Sequence, residues 1–385
     1  MKLFIHLGEI FFQRGKYAYA YPPNMSFLNE VFNTQNEQFF CSSQFSSSIA
    51  YDSTKASSSV PIDSFIRAPN YNSSNDFIKR YIFNYKFRSE LWSYLNIVKG
   101  LDAEIVWLRL PNIMSLYILI ALYNRKTKFA LHMCADAKNA WRSPKYKGVR
   151  RLIAFVMSFL IHSVLLFYAK KKNVVTFTTG SKLEKQFKNA NRVIQLVDVD
   201  IEPSDVQPRR AVPRIVGFLG RIAEDKGVFD LVAVCEELMA KRQCDLALKI
   251  AGTGPDVGRL QAKTEGSANV ELLGYVKNSD TKQFFSEIDV LVVPSKNQYE
   301  GFPRVILEAW AHDVPVIISD VGGISAFAKN GVNSLIYKAG DRRKLLEALE
   351  QFLTQDTPIL IDGETKAISS KKYWAEVARH ELQKI

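Results

Sequence analysis

The chain is expected to fold as an α/β protein with two doubly wound, parallel-sheet domains. Three observations carry that expectation. Its length of 385 residues suits two domains of roughly 180 residues each. Short apolar runs alternate with amphipathic stretches, the pattern of strands wrapped by helices. A proline-rich break, DVDIEPSDVQPRRAVPR from Asp198 to Arg214, divides the alternation in two. The expected layout is a first domain over 1–197, a linker over 198–214, a second domain over 215–365 and a closing helix over 366–385. An apolar fraction of 47% lets each half bury a core of its own.

The first half is the less regular. MKLFIHLGEIFF carries Glu9 and lacks a small-residue cleavage site, so it reads as a buried strand, Leu3 to Ile5, rather than a signal peptide. A loop rich in glycine and aromatics follows, through Gly8, Gly15, Tyr17 and Pro22. Residues 42–75 are rich in Ser and Asn and read as loops and short edge elements. Helical periodicity returns from Asp76 to Val98. Ala103 to Pro111 (AEIVWLRLP) is a continuous apolar run, as in a strand buried on both faces. A helix, the strand Lys128–Cys134, a long helix and the strand Asn173–Thr179 complete the alternation.

That long helix, Leu152 to Ala169, is eighteen residues of mostly apolar sequence, at the lower limit for crossing a bilayer. His162, Ser158 and Ser163 interrupt it, and cations stand on both sides: Lys145, Lys147, Arg150 and Arg151 before, Lys170 to Lys172 after. A symmetric basic flank suits a helix buried in a domain or lying on a membrane surface better than a span. A net charge of +12 implies an anionic partner. Four cysteines without a C-x-x-C argue against a disulfide framework or a zinc site and suit a reducing cytosol.

Beyond the break the elements are sharper: strands RIVGFLG, LALKIAG, VELLGYV, VLVVPS and PVIISD, with helices at 229–241, 257–264, 280–287, 305–312 and 342–353. In such a sheet, ligands gather where strands end and helices begin. The first junction ends its strand at Gly220, sets Arg221 in the loop and puts Lys226-Gly227 before a helix. Two cations at a helix N-terminus suit a diphosphate. The second brings Gly252 and Gly254, whose missing side chains allow a ligand close to the backbone. The third is E-G-F-P-R-V-I-L-E, with Pro303 expected at the first helical position. Gly301 and Phe302 would offer backbone N–H groups. Glu300 and Glu308 suit neutral hydroxyls, since a carboxylate accepts paired hydrogen bonds from a vicinal diol. A fourth junction carries Gly322-Gly323 and the turn Asn330-Gly331.

In order, G-R-x4-K-G, G-x-G-P, L-G-Y-V, P-S-x5-E-G-F-P-x-V-x-L-E-A, P-V-I and D-V-G-G-I resemble the retaining glycosyltransferases of family four over Ile215 to about Leu353. The resemblance implies a GT-B fold: two Rossmann-like domains facing across a cleft, with a last helix, here containing Trp374, returning to the first. It also implies roles. Arg221 and Lys226 hold the donor diphosphate, Glu308 the ribose hydroxyls, and Glu300 with the Gly301 and Phe302 backbone faces the transferred sugar. After G-G-I the family has Pro-Glu, whereas Ser325-Ala326 stands here. WLRLPN (Trp107 to Asn112) and Cys134-Ala135-Asp136 look like bacterial polysaccharide-assembly members, with Asp136 as the residue reaching the donor sugar and His132 behind it.

The implied reaction moves a hexose or related sugar from a nucleoside diphosphate to an acceptor hydroxyl with retention. The acceptor would be a glycan or lipid-linked glycan, and the enzyme cytoplasmic and peripheral on the inner face of the plasma membrane. No D-x-D with supporting carboxylates is evident, so no metal and no cofactor is expected. Two other classes keep the fold: an epimerase or inverting transferase, and a non-catalytic sugar-binding subunit. Nucleic-acid binding is disfavoured, because aromatic platforms do not interleave with the basic runs.

Overall fold

The computed structural model describes residues 2–20, 24–32, 38–46, 58–142, 146–204, 214–242, 246–296, 301–354, 359 and 361–385. The chain divides into two compact units: Met1–Asp200 together with Trp374–Ile385, and Ile201–Tyr373.

Unit 1 opens with β1 (Lys2–Arg14), β2 (Tyr17–Ala20), α1 (Asn24–Phe32), β3 (Gln38–Ser46), β4 (Ser58–Pro61) and β5 (Phe65–Arg67). It continues with α2 (Ser74–Phe83), α3 (Tyr85–Gly100), β6 (Ile105–Leu110), α4 (Ile113–Leu122) and β7 (Lys128–Met133). Then come α5 (Val149–Ala169), β8 (Val174–Thr178), α6 (Ser181–Gln186) and β9 (Val193–Gln195). Among the described residues the sheet runs β4-β2-β1-β6-β7-β8-β9, with β3 and β5 branching from β1. The neighbours β1, β6, β7, β8 and β9 pair in parallel. They read as apolar runs because both faces are covered: Val106, Trp107, Leu108, Phe129, Leu131, Val174 and Phe177 are buried.

Three expectations for this half change. The opening strand does not stop at Ile5. It shifts register between His6 and Ile10, at Gly8 (φ 70°), and runs to Arg14 before turning at Gly15 into β2. The Ser-rich stretch is not all loop, because β3 pairs in parallel with β1. Its Ser42 and Ser43 are buried but partnered. Ser42 Oγ lies 2.6 Å from the Tyr94 hydroxyl and 3.3 Å from His6 Nδ1, and Ser43 donates to the Glu9 carbonyl. A strand whose core positions are hydrogen-bonded serines lacks the apolar signature of burial. The helical stretch from Asp76 to Val98 is two helices, parted at Asn84, whose side chain caps α3 by accepting from Phe87 N.

Unit 2 comprises β10 (Ile215–Leu219), α7 (Val228–Arg242), β11 (Ala247–Ala251), α8 (Val257–Thr264), β12 (Val270–Gly274), α9 (Thr281–Glu287) and β13 (Val290–Val293). Next are α10 (Arg304–Ala311), β14 (Val316–Ser319), β15 (Ser334–Tyr337), α11 (Arg342–Thr354) and α12 (Gly363–Ala367). The sheet order is β12-β11-β10-β13-β14-β15, all parallel. The strand β15 is an addition to the five read from sequence; at four residues after a turn it has little room for a pattern. The final helix, α13 (Lys371–Gln383), starts in unit 2, where Lys371 N donates to the Ile201 carbonyl at 2.8 Å. From Trp374 onward it belongs to unit 1, held by Glu381 against Arg192 at 2.6 Å.

Candidate functional site

In unit 2 the chain builds outward from β10 in one direction (β11, β12) and from β13 in the other (β14, β15). The carboxyl ends of these adjacent strands form a topological switch point, where open α/β sheets hold ligands. The four junctions expected from the sequence are tied to one another along these ends.

After β10, Gly220 N donates to the Ala251 carbonyl at 3.0 Å, and Arg221 leaves the strand with its side chain half exposed. Its guanidinium donates to both Asp225 oxygens at 2.8 and 2.9 Å. Both bonds come from Nη2 and hold the planar cation in place before any ligand arrives. Lys226 closes a 3-10 turn, Glu224–Lys226, and Gly227 follows at φ 72°. A Cβ there would overlap the Pro294 carbonyl oxygen, so the amino end of α7 can approach the end of β13 only through a glycine. Backbone ties then join three strand ends. Lys296 N donates to the Asp225 carbonyl at 2.8 Å, and Ser319 Oγ to the Ser295 carbonyl at 2.6 Å.

The glycines after β11 have a different use from the one expected. A Cβ on Gly252 would overlap the Gly220 carbonyl, and one on Gly254 the Ile222 carbonyl. Ile222 N donates to the Thr253 carbonyl at 2.9 Å. What they admit is the neighbouring loop, so they shape the Arg221 turn.

At the third junction Glu300 lies outside the described residues. Gly301 is buried, and its carbonyl accepts from Gly323 N at 3.2 Å, bringing in the fourth junction. The Phe302 ring is buried against Phe327 and Trp310, with centroids 5.0 and 6.1 Å away, and this pins the loop to the core. Pro303 is the N-cap of α10, one residue before the expected position, and no described side chain caps that helix. The positive end of its dipole lies there and favours negative charge nearby. Glu308, in the second turn, is half-buried. Ser325 is exposed, in a 3-10 turn over Ile324–Ala326.

Residues 213–355 match the model of the family described as Glycosyl transferases group 1. The match falls within the second unit and takes in its strands and the junctions described above. The chain is 30% identical over 152 residues to TuaC of Bacillus subtilis, named for teichuronic acid biosynthesis, a match covering 38% of this chain and 36% of that one. It is 28% identical over 147 residues to the capsular polysaccharide biosynthesis glycosyltransferase CapM of Staphylococcus aureus, covering 37% of each. The chain thus aligns with little more than a third of either relative. Its fold matches that of HepE from Anabaena in complex with UDP at a TM-score of 0.65 and 12% identity, over 99% of this chain and 98% of that one. The fold is GT-B.

Unit 1 holds the remaining candidates. Asp136 is buried rather than reaching outward. Its carboxylate accepts from Asn139 N (3.1 Å), Asn139 Nδ2 (2.7 Å) and Gln186 Nε2 (2.9 Å), which commits it to closing the turn after β7. His132 is buried edge-on to Trp107, with ring centroids 5.6 Å apart. The residues that sequence reading missed are Glu9, Arg109 and Asp198, gathered near strand ends by β1, β6 and the segment after β9. Arg109 donates to Asp198 at 3.2 Å and lies 3.9 Å from Glu9. Burial opposes its charge, yet Cys134, Asp198 and Glu9 outweigh that and raise its pKa. Asp198, expected at the start of a linker, is instead a buried partner in unit 1. His132, Cys134 and Asp198 bring potential metal-ligand atoms within 4.8 Å of one another, but the Arg109 cation already faces the acid of that group. The strand-like run around Arg109 was legible, whereas its partners come from remote segments.

Proposed function

We propose that the protein is a glycosyltransferase that moves a sugar from a nucleoside-diphosphate donor to an acceptor hydroxyl with retention of configuration, during assembly of a bacterial surface glycan. What supports this reading is that β10 and β13 are adjacent parallel strands, with Arg221 and Lys226 in the loop after β10 and the amino end of α10, the helix of Glu308, after β13. The donor diphosphate would lie against the two cations and the α10 terminus. These groups stabilise negative charge as it develops on the departing phosphate, which lowers the barrier electrostatically. They supply positive charge that a divalent ion would otherwise bring, which supports a metal-independent reading.

Glu308 would accept hydrogen bonds from the ribose hydroxyls, and Glu300 would face the transferred sugar. Retention rests on the family resemblance: the departing phosphate takes up the acceptor proton on the face that it leaves. A lipid-linked acceptor would bring the enzyme to the inner, anionic face of the membrane. The decisive test is a thermal-shift screen against a nucleoside-diphosphate panel with the parent and Glu308→Ala, followed by NMR of the product linkage. Stabilisation by one nucleoside diphosphate that Glu308→Ala abolishes supports the reading. No stabilisation by any of them, or an inverted linkage, would sink its donor or its stereochemical half.

A further inference from the structure

The helix α5 is apolar on its outer face as well as its inner one. A helix that covers a sheet normally turns its large apolar side chains inward. Here the buried positions are Ser158, His162, Leu165 and Ala169, with Ile161, Val164 and Leu166 partly buried against the core beside them. With 3.6 residues per turn, the opposite face carries Leu152, Val156, Leu160 and Phe167, flanked by Ile153 and Phe159. Leu152 is 65% exposed, Phe159 58% and Phe167 57%. The helical layer continues this face. Tyr117 of α4 packs on Phe77 and Tyr81 of α2, and Tyr123 packs on Tyr168 of α5. Trp92 and Ile97 on α3 and Ile120 on α4 are also exposed.

The surrounding charge points to one occupant. From Tyr146 to Lys172 there are six cations (Lys147, Arg150, Arg151, Lys170, Lys171 and Lys172) and no carboxylate. Two of them, and Arg142 just before the helix, are held beside aromatic rings. The Arg142 and Arg151 guanidinium groups lie 5.3 and 5.1 Å from the Trp141 ring, which itself meets Phe155 edge-on, and the Lys171 ammonium lies 3.9 Å from the Phe167 ring. An apolar stripe bounded at both ends by cations and interfacial aromatics matches the hydrocarbon boundary and headgroup layer of an anionic bilayer. A second copy of this chain matches poorly, because a self-contact through this face would set cations against cations. A span is also unsuitable. The helix is the crossover between β7 and β8, which pair in parallel from Phe129 with Val174, so standing it across a membrane would draw sheet edges into hydrocarbon.

We propose that the outer face of α5 is a bilayer-docking surface, lying in the plane of an anionic membrane with its apolar stripe below the headgroups. The proposal deepens, and rests on, the reading of a lipid-carried acceptor. Docking would place the donor chemistry where such an acceptor is found and let the acid content of the membrane set how much enzyme works there.

The full-length protein is floated with vesicles of phosphatidylcholine plus phosphatidylglycerol, and with vesicles of phosphatidylcholine alone. Binding is expected to the anionic vesicles, and to fall about tenfold or more with added salt or in the R150E/R151E and F159S/L160S variants. The unfolding temperatures of these variants should stay at the parent value, because the substituted side chains are exposed. Quenching of Trp141 by brominated lipid, lost in W141F, would place the amino end of α5 in the interface. The idea is overturned if the parent stays in the soluble fraction, if F159S/L160S floats like the parent, or if that variant instead converts a parent dimer into monomer. The nucleoside-diphosphate shift in the same samples separates the two readings: lost docking with an intact shift overturns only the membrane surface, and docking without any shift overturns only the donor assignment.

Discussion

Gly227 and Pro294 pack so closely that any side chain at position 227 would overlap the Pro294 carbonyl oxygen. Gly227 also sits at φ 72°, where a Cβ is strained whatever the space. Gly227→Ala is therefore expected to destabilise unit 2 by about 1–3 kcal/mol and to loosen the loop that carries Arg221 and Lys226. Denaturant unfolding and nucleoside-diphosphate affinity should fall together, and an unchanged midpoint would refute the packing argument.

Asp225 holds Arg221 through Nη2 and leaves the guanidinium half exposed. Arg221→Ala is expected to lower kcat/KM by about 10²–10³-fold, the scale of losing one preorganised donor to a developing charge. Arg221→Lys should recover only part of this, because an ammonium lacks the planar array of donors. Glu308→Gln should act mainly on donor KM, with kcat nearly kept. Equal losses in both parameters would instead put Glu308 in the transition state.

His6 is fully buried in β1, and burial, only partly offset by a hydrogen bond to Asn112, lowers its pKa to about 3. The unfolded chain, with a value near 6.5, then takes up the proton first as pH falls. The contribution of His6 to stability is complete above about pH 6.5 and is lost at about 1.4 kcal/mol per pH unit down towards pH 3. His6→Asn should flatten the stability profile in that window; an unaltered slope would show that other groups govern acid unfolding.

The closing helix depends on Glu381, which accepts from Arg192 at 2.6 Å and from Lys384 at 2.7 Å. Burial would raise its pKa, but the two cations outweigh burial and lower it. Its stabilisation is therefore present above the unfolded value of about 4.3 and fades as pH falls below that. Glu381→Gln is expected to cost about 1–3 kcal/mol at neutral pH and nearly nothing in acid. Limited proteolysis near residues 371–383 should report the release of α13 from unit 1.

Read alone, the sequence determined the α/β class and nearly every element of unit 2, because strands buried on both faces and helices with one apolar face leave strong periodic signals. It also set Arg221 and Lys226 in the loop after β10 and Glu308 in the helix after β13, since those spacings are local to strand–loop–helix junctions. The fold decided what depended on distant partners. Ser42 and Ser43 lie in a buried strand only because Tyr94, His6 and the Glu9 backbone satisfy them. Asp136 faces inward because Asn139 and Gln186 occupy it, and Gly252 and Gly254 make room for the Arg221 loop rather than for a ligand. The apolar helix of residues 149–169 is the clearest division. Composition marked it as long and oily, but which side faced water could be settled only by the sheet it crosses: that packing takes Ser158 and His162 inward and leaves Leu152, Phe159 and Phe167 outside.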